Sequence, residues 1–381
     1  MKKKLAIIGK GTAGCYALSH FMRWTDWEID LIHDPDIKPQ AVGEGSDLVL
    51  PASLNEQFDF SYTDLCDIDG SLKLGIRKIN WNGSNDFIHT FPAPNSSMHF
   101  NACKLQQYLI DRYADNDRMT IVEDKVDSDR IDADYIMDCS GKPENYDDYT
   151  VLSSIPVNSV YVTQCYWDRV DFQYTLTIAR PYGWVFGIPL ANRCSIGYMY
   201  NNTINTLEEV KEDVKEIFKQ FNLNPSDTTS NFSFKNYYKK QNYDVRTCYN
   251  GNASFFLEPM EATSISTMDK IQRAAYDIWH DRIALETATD NYTKYLKEVE
   301  AMIMLHYYAG SKFDTKFWDF AKERANIVME EAIKDQDFAK IIFNSKNPTE
   351  QTRQHRYASW HLISYTQNLT NLGLYNKFEF L

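Results

Sequence analysis

The stretch FFLEPMEATSI, Phe255 to Ile265, sets two carboxylates, Glu258 and Glu261, around Pro259 inside an otherwise apolar run. An ionised carboxylate withdrawn from water is costly unless it is paired or put to use. A second group of residues with chemistry in it stands at the start of the chain, where Gly9, Gly11 and Gly14 form GxGxxG in IIGKGTAG. In such a loop the first glycine allows a tight turn, the second lets backbone approach a pyrophosphate, and the third lets helix pack on strand. The helix that follows offers its N-terminus to the anion. A glycine-rich turn of no consequence is the other reading of the same three residues.

The elements around that loop favour dinucleotide binding. KLAIIGKGTAGCYALSHFM reads as a buried strand, a turn and a helix, and WEIDLIHDPD as a second strand, which together make a βαβ unit. The acid that would meet a ribose is expected about 20 residues after the loop; LIHDPD offers His33 and then Asp34, a slightly displaced match. RIDADYIMDCSG is an apolar strand that runs into Asp138, Cys139, Ser140 and Gly141, a turn suited to closing a nucleotide-binding sheet. RPYGWVFGIPLANRCSIGYMY is β-rich and turn-punctuated and predicts an antiparallel sheet. From about residue 205 the texture becomes helical: NTLEEVKEDVKEIFKQF, TMDKIQRAAYDIWHDRIALE and NYTKYLKEVEAMIMLHYY are amphipathic, with solvated charged faces. The aromatic C-terminal stretch YASWHLISYTQNLTNLGLYNKFEFL is expected to dock on the body.

Composition sets limits. The 381 residues, 43% hydrophobic and 24% charged, are enough for one large or two interlocked domains. A formal net charge of -13 would repel nucleic acid and anionic membrane at long range, so small neutral or aromatic ligands are expected instead. Seven scattered cysteines without a CxxC pair, and no His cluster at zinc spacing, read as reduced cytoplasmic thiols with no metal site. MKKKLAIIGKGTAG imitates a signal peptide, but its apolar run breaks at Gly9 and Lys10, and no run reaches membrane-spanning length.

The motifs IIGKGTAG, AVGEGSD, SLKLGIRKINW, FIHTF, MDCSG, GWVFGIP and LEPMEATSI stand in the same order as their counterparts in flavin-dependent tryptophan halogenases. The chain resembles that family over almost its full length. The resemblance implies an α/β fold: an FAD-binding, Rossmann-like module of monooxygenase type with an antiparallel substrate sheet and a C-terminal helical subdomain. On that plan residues 1–267 carry the FAD module and interleaved sheet, and 268–381 the helical subdomain. It also implies two-component chemistry. FAD reduced by a separate flavin reductase, together with dioxygen and a halide ion, yields hypohalous acid, which crosses a tunnel to a lysine beside an aromatic substrate.

By motif match Lys73 takes the place of the catalytic lysine, and Glu261 that of the catalytic glutamate, able to orient the lysine and accept the proton lost when the ring rearomatises. Lys73 as a snorkelling surface lysine, and Glu261 as a mere helix N-terminal charge, are the structural alternatives. Thr263 and Ser264 match the halide positions, and Ile265 the flavin contact that follows. Gly9, Gly11, Thr12, Ala13, Gly14, His33, Asp34, Glu44 and Gly45 match the FAD-binding residues. His89 and Phe91 fall where the family sandwiches an indole, or are simply packed on a half-buried strand; Trp360 and Tyr365 lie in the area that grips the rest of the substrate.

Three departures matter. Ala262 stands where the family has serine, and Phe186 replaces the second tryptophan of a WxWxIP signature carried here by Trp184, Ile188 and Pro189. The region from Trp81 to His99 is short, which predicts an open pocket for an indole, phenol or other electron-rich arene rather than free tryptophan. An FAD-dependent aromatic hydroxylase and a non-catalytic flavin-binding protein are the alternatives, the latter kept open by Ala262 and Phe186. A homo-oligomer is left open.

Overall fold

A computed structural model describes residues 2–37, 44–91, 95–125, 131–167, 170–346, 360 and 362–378. Ala41, Val42 and Gly43 of AVGEGSD lie outside them. The chain forms two compact units, Met1–Ser71 with Ser97–Val151 and Asn236–Lys294, and Leu72–Ser96 with Lys235-ending and C-terminal segments, Leu152–Lys235 and Tyr295–Leu381. The units interleave in sequence, and a helix at Ser264–Trp279 runs through the 267/268 position where two successive blocks were expected to meet.

The first unit is built on a five-stranded sheet with every pairing parallel. Its strands are β1 (Lys4–Ile8), β2 (Glu28–His33), β7 (Met119–Glu123), β8 (Tyr135–Asp138) and β16 (Thr247–Tyr249), in the order β16-β8-β1-β2-β7. β1 is the central strand and reads LAII because it is covered on both faces. Helix α1 (Thr12–Trp24) packs on it and meets α2 (Val49–Phe58), α3 (Ala102–Asp111) and α5 (Ser264–Trp279). α1 ends where Thr25 turns extended and donates both its N–H and its hydroxyl to the Phe21 carbonyl. β6 (Ser97–His99) and an antiparallel sheet of β9 (Tyr149–Val151), β15 (Tyr237–Lys239) and β17 (Phe255–Phe256) complete the unit.

The second unit carries a seven-stranded sheet. It contains β4 (Gly75–Ile79), β5 (Asp86–Thr90), β10 (Ser159–Tyr166), β11 (Thr175–Arg180), β12 (Gly183–Pro189), β13 (Arg193–Tyr200) and β14 (Asn224–Ser233), ordered β14-β10-β13-β12-β11-β4-β5. All its pairings are antiparallel except β11 with β4. One face packs Leu176, Ile178, Val185, Ile196 and Tyr198 against Val210, Val214 and Ile217 of α4 (Leu207–Gln220). That helix starts at a capping box, Thr206 with Glu209, and has Lys219 in its last turn, so its ends suit its dipole. The rest of α6 (Leu285–Ala309) from Tyr295 onward, with α7 (Lys316–Ala332), α8 (Gln336–Lys346) and α9 (Leu362–Asn371), belongs to this unit. β3 (Ser71–Lys73) ends in it.

Among the described residues no helix is long and apolar enough to cross a membrane, and no cluster of His, Cys, Asp or Glu could hold a metal ion. All seven cysteines are thiols. Burial pushes Cys15 up to about 12 and holds Cys139 and Cys248 well above the usual thiol range, which keeps them protonated and unreactive.

His20 on α1 is sealed among Phe21 and Tyr276, with neither ring nitrogen hydrogen-bonded among the described residues. Burial, then the nearby Arg273 charge, lowers its pKa to about 3. The folded value lies below the unfolded one, so the unfolded chain binds the extra proton. Stability from this group is present above the ordinary histidine range and is lost as pH falls from about 6.5 toward 3, by about 1.4 kcal/mol per unit. His20→Phe is expected to flatten that part of the melting-temperature profile between pH 6.5 and 4; a profile parallel to wild type would refute the assignment.

Candidate active site

The glycine loop is fixed by close approach. Gly9 has φ +100 and its N–H donates to the Ile32 carbonyl at 2.7 Å, while a Cβ there would sit 2.3 Å from the Cys139 carbonyl oxygen. A Cβ on Gly14 would lie 1.8 Å from the Gly9 carbonyl oxygen, so α1 can cross the strand end only with glycine at that position. Gly11 is different. Its φ is -77 and nothing lies within 4 Å of where a Cβ would point. It precedes Thr12 and Ala13 as the N-cap of α1 with no side-chain cap, so no side chain there takes the first N–H groups of the helix. The cradle fits a pyrophosphate.

At the ends of the neighbouring strands, His33 pairs in register with Glu123, His33 Nε2 lying 3.8 Å from a Glu123 carboxylate oxygen. Just beyond, Asp34, Pro35, Asp36, Glu123, Asp124 and Lys125 line a cleft of about 390 Å³. Asp34 lines it and His33 does not, and a carboxylate there can accept from a sugar hydroxyl. Glu44 is buried and its carbonyl accepts the Phe100 N–H at 2.8 Å, while Gly45 bridges His99. These residues belong to the first unit with Glu261, Thr263, Ser264 and Ile265.

The stretch around Glu261 is a turn feeding a helix. The Glu258 N–H donates to Asn236 Oδ1 at 2.8 Å, and the Ala262 N–H closes on the Pro259 carbonyl at 3.1 Å. Ala262 has φ +54, a left-handed conformation that costs an L-residue roughly 1 kcal/mol. That residue separates Glu261, only 5% exposed, from α5, whose N-cap Thr263 follows at once. Thr263, without a side-chain cap, gives its carbonyl to the Ser266 and Thr267 hydroxyls at 3.0 and 2.8 Å and to the Thr267 N–H. The N-terminus of α5, with the helix dipole's positive end, thus follows directly on the Glu261 turn.

Lys73 belongs to the second unit and is 1% exposed, so it is no snorkelling surface lysine. Its Nζ lies 5.8 Å from the centre of the Phe91 ring, and the Phe91 N–H donates to the Leu74 carbonyl at 3.3 Å. His89 and Phe91 meet edge to face with centroids 6.5 Å apart. They form one wall next to the lysine rather than opposite sides of a slot. His89 Nε2 lies 3.0 Å from Ser364 Oγ on α9. Tyr365 is fully buried in α9, and Trp360 is half-buried ahead of it. Trp184 donates its indole N–H to Tyr307 Oη at 3.0 Å, and the tip of the Phe186 ring occupies the space above Gly197, where a Cβ would be 2.0 Å from Cζ.

Sequence reasoning passed over Lys78. It is fully buried, 2.5 Å from His306 Nε2 and 2.8 Å from Asn368 Oδ1. Strand alternation in GIRKI, which puts Lys78 on the face of buried Ile76, was the available signal.

A parallel sheet whose central strand enters a glycine cradle at a helix N-terminus, joined in one chain to a large antiparallel sheet, defines a nucleotide-binding α/β protein of the flavoprotein kind. The chain belongs to the tryptophan halogenase family, whose sequence profile matches residues 4–125 and 112–377. It is 24% identical to tryptophan 7-halogenase RebH of Lentzea aerocolonigenes over 97% of this chain and 89% of that one. With tryptophan 6-halogenase ThaL of Streptomyces albogriseolus the identity is 26%, over 42% of this chain and 30% of that protein, so the match spans less than a third of that relative's length. The fold is also that of BrvH, a flavin-dependent halogenase from Brevundimonas sp. BAL3, with TM-score 0.79 and 19% identity over 100% of this chain and 93% of that one.

The two glycines predict opposite outcomes. Gly11→Ala is expected to melt with wild type yet bind FAD roughly tenfold more weakly, because only a close ligand would meet the new methyl. Gly14→Ala is expected to lose fold stability outright. Flavin fluorescence titration beside thermal unfolding decides it, and unchanged FAD affinity in Gly11→Ala would contradict the cradle.

Proposed function

We propose that the chain is a two-component flavin-dependent halogenase that acts on an electron-rich arene of indole or phenol type, with Lys73 and Glu261 as its catalytic pair. The observation that carries this reading is Lys73 itself, a lysine brought inside, beside an aromatic wall, where its sequence motif matches the family's lysine. When bound, FAD reduced by a separate reductase supplies, with dioxygen, the oxidising power that turns halide into hypohalous acid.

The protein's own residues do the rest. The first N–H groups of α1 hold the pyrophosphate, Asp34 takes the sugar hydroxyls, and Thr263 and Ser264 hold the halide through backbone N–H groups at the α5 terminus. Lys73 binds hypohalous acid by donating a hydrogen bond, which polarises the O–X bond and shields the oxidant from water. The arene rests on His89 and Phe91. As its ring carbon forms the C–X bond, the O–X bond breaks and the leaving hydroxide takes a proton from the Lys73 ammonium, so water leaves; Glu261 accepts the proton released when the ring rearomatises and passes it back to Lys73. The balance is arene plus hypohalous acid to haloarene plus water. Neutral aromatic walls, in a chain of net charge -13, suit such a substrate and not a nucleic acid.

Lys73→Met is expected to bind FAD as wild type does and to lose halogenated product by about 10²-fold or more, and Glu261→Gln to fall by a similar factor. The assay supplies reductase, FAD, halide and a panel of indoles and phenols, reads product by mass, and includes a thiol-free scavenger of free hypohalous acid. Full product from Lys73→Met in the presence of scavenger would overturn the mechanism.

A further inference from the structure

The face of the large sheet opposite α4 carries a row of residues set by register. Phe87 faces Lys78, Lys78 faces Thr177, Thr177 faces Phe186 and Phe186 faces Gly197. Residues opposite one another on neighbouring strands share a face. His89, two residues along β5 from Phe87, stands on it too. The Lys78 amine therefore lies on the same surface as the wall residue His89 and the Phe186 of the WxFxIP signature.

α9 is clipped to this surface at three levels. Ser364 Oγ meets His89 Nε2 at 3.0 Å, and Asn368 Oδ1 meets Lys78 Nζ at 2.8 Å. Between them, Gln367 takes the Thr90 N–H at 2.9 Å and donates to the Thr90 carbonyl at 3.1 Å, satisfying the edge of β5 as another strand would. The spacing explains the fit. Four residues of helix rise about 6 Å and two residues of strand about 6.8 Å, so Ser364 and Asn368 match His89 and the residue opposite Lys78. His306 completes the node. Its Nδ1 is 2.9 Å from the Met302 carbonyl, which can only accept, so Nδ1 carries the proton and Nε2 accepts from Lys78.

We propose that Lys78 is a positioning residue for the arene. Its amine, shared between His306 of α6 and Asn368 of α9, seats α9 along β5 and so holds Ser364 against His89, which fixes the wall on which the substrate lies. This rests on the halogenase reading for its consequence in catalysis, but the seating of α9 does not.

The test uses the full-length protein carrying Lys78→Met, which keeps chain length and removes the donors. Hydrogen exchange is followed in α9 and, as an internal control, in α4 on the opposite face of the sheet. The expected result is roughly tenfold faster exchange in α9 with α4 unchanged, and a KM for indole raised about tenfold while hypohalous acid trapped without arene forms at the wild-type rate. Asn368→Ala, which leaves the Lys78–His306 bond, is expected to move both readings in the same direction by less, and serves if Lys78→Met does not fold. Combining Lys78→Met with Asn368→Leu is expected to return α9 protection by apolar contact. Wild-type exchange in α9 for either single variant, or a KM unchanged while oxidant formation falls, would overturn the proposal. If wild-type protein forms no oxidant at all, the halogenase reading fails and the exchange result alone still decides the role of Lys78.

Discussion

The structure depends on keeping ionisable side chains inside and under control. Lys73, Lys78, Glu258 and Glu261 are each at most 5% exposed. Withdrawing such groups from water is unfavourable unless geometry supplies partners or function requires them. The fold meets this with rigid elements. Lys73 and Lys78 end up on strands of the second unit, and the two glutamates on a turn that the Pro259 carbonyl closes and the left-handed Ala262 completes.

Cofactor binding and substrate binding put different demands on backbone. The nucleotide end uses absence of side chain: Gly9 and Gly14 allow contacts that no Cβ would survive, and Gly11 leaves room for a ligand. The proposed arene end uses presence of side chain, with His89 held by Ser364, Trp184 by Tyr307, and the Phe186 ring tip set against Gly197. Phe186 keeps aromatic bulk where the family signature has a second tryptophan, and Gly197 shows how that bulk is accommodated.

Much of this was legible in the sequence because its signals are local. IIGKGTAG between a strand and a helix, the LIHDPD strand end, the antiparallel GWVFGIP segment and the capped helix NTLEEVKEDVKEIFKQF each state their structure within about twenty residues, and all are where the pattern put them. β14 was not legible: NPSDTTSNFS is exposed almost throughout and becomes a strand only by pairing with β10, across a register shift between Thr163 and Cys165. The interleaving of the two units arises from long-range packing that no window reveals. The role of Lys78 was missed because its partners His306 and Asn368 are more than 200 residues away in sequence.

The central claim is that halogenation takes place on the protein, against the His89–Phe91 wall, and not by oxidant released to solution. The most direct measurement is the isomer distribution of a monohalogenated indole made under turnover, compared with that from the same indole and free hypohalous acid. A distribution that differs from the free reagent's, and that shifts back toward it in Phe91→Ala, is the predicted result. Identical distributions for enzyme and reagent would contradict the account.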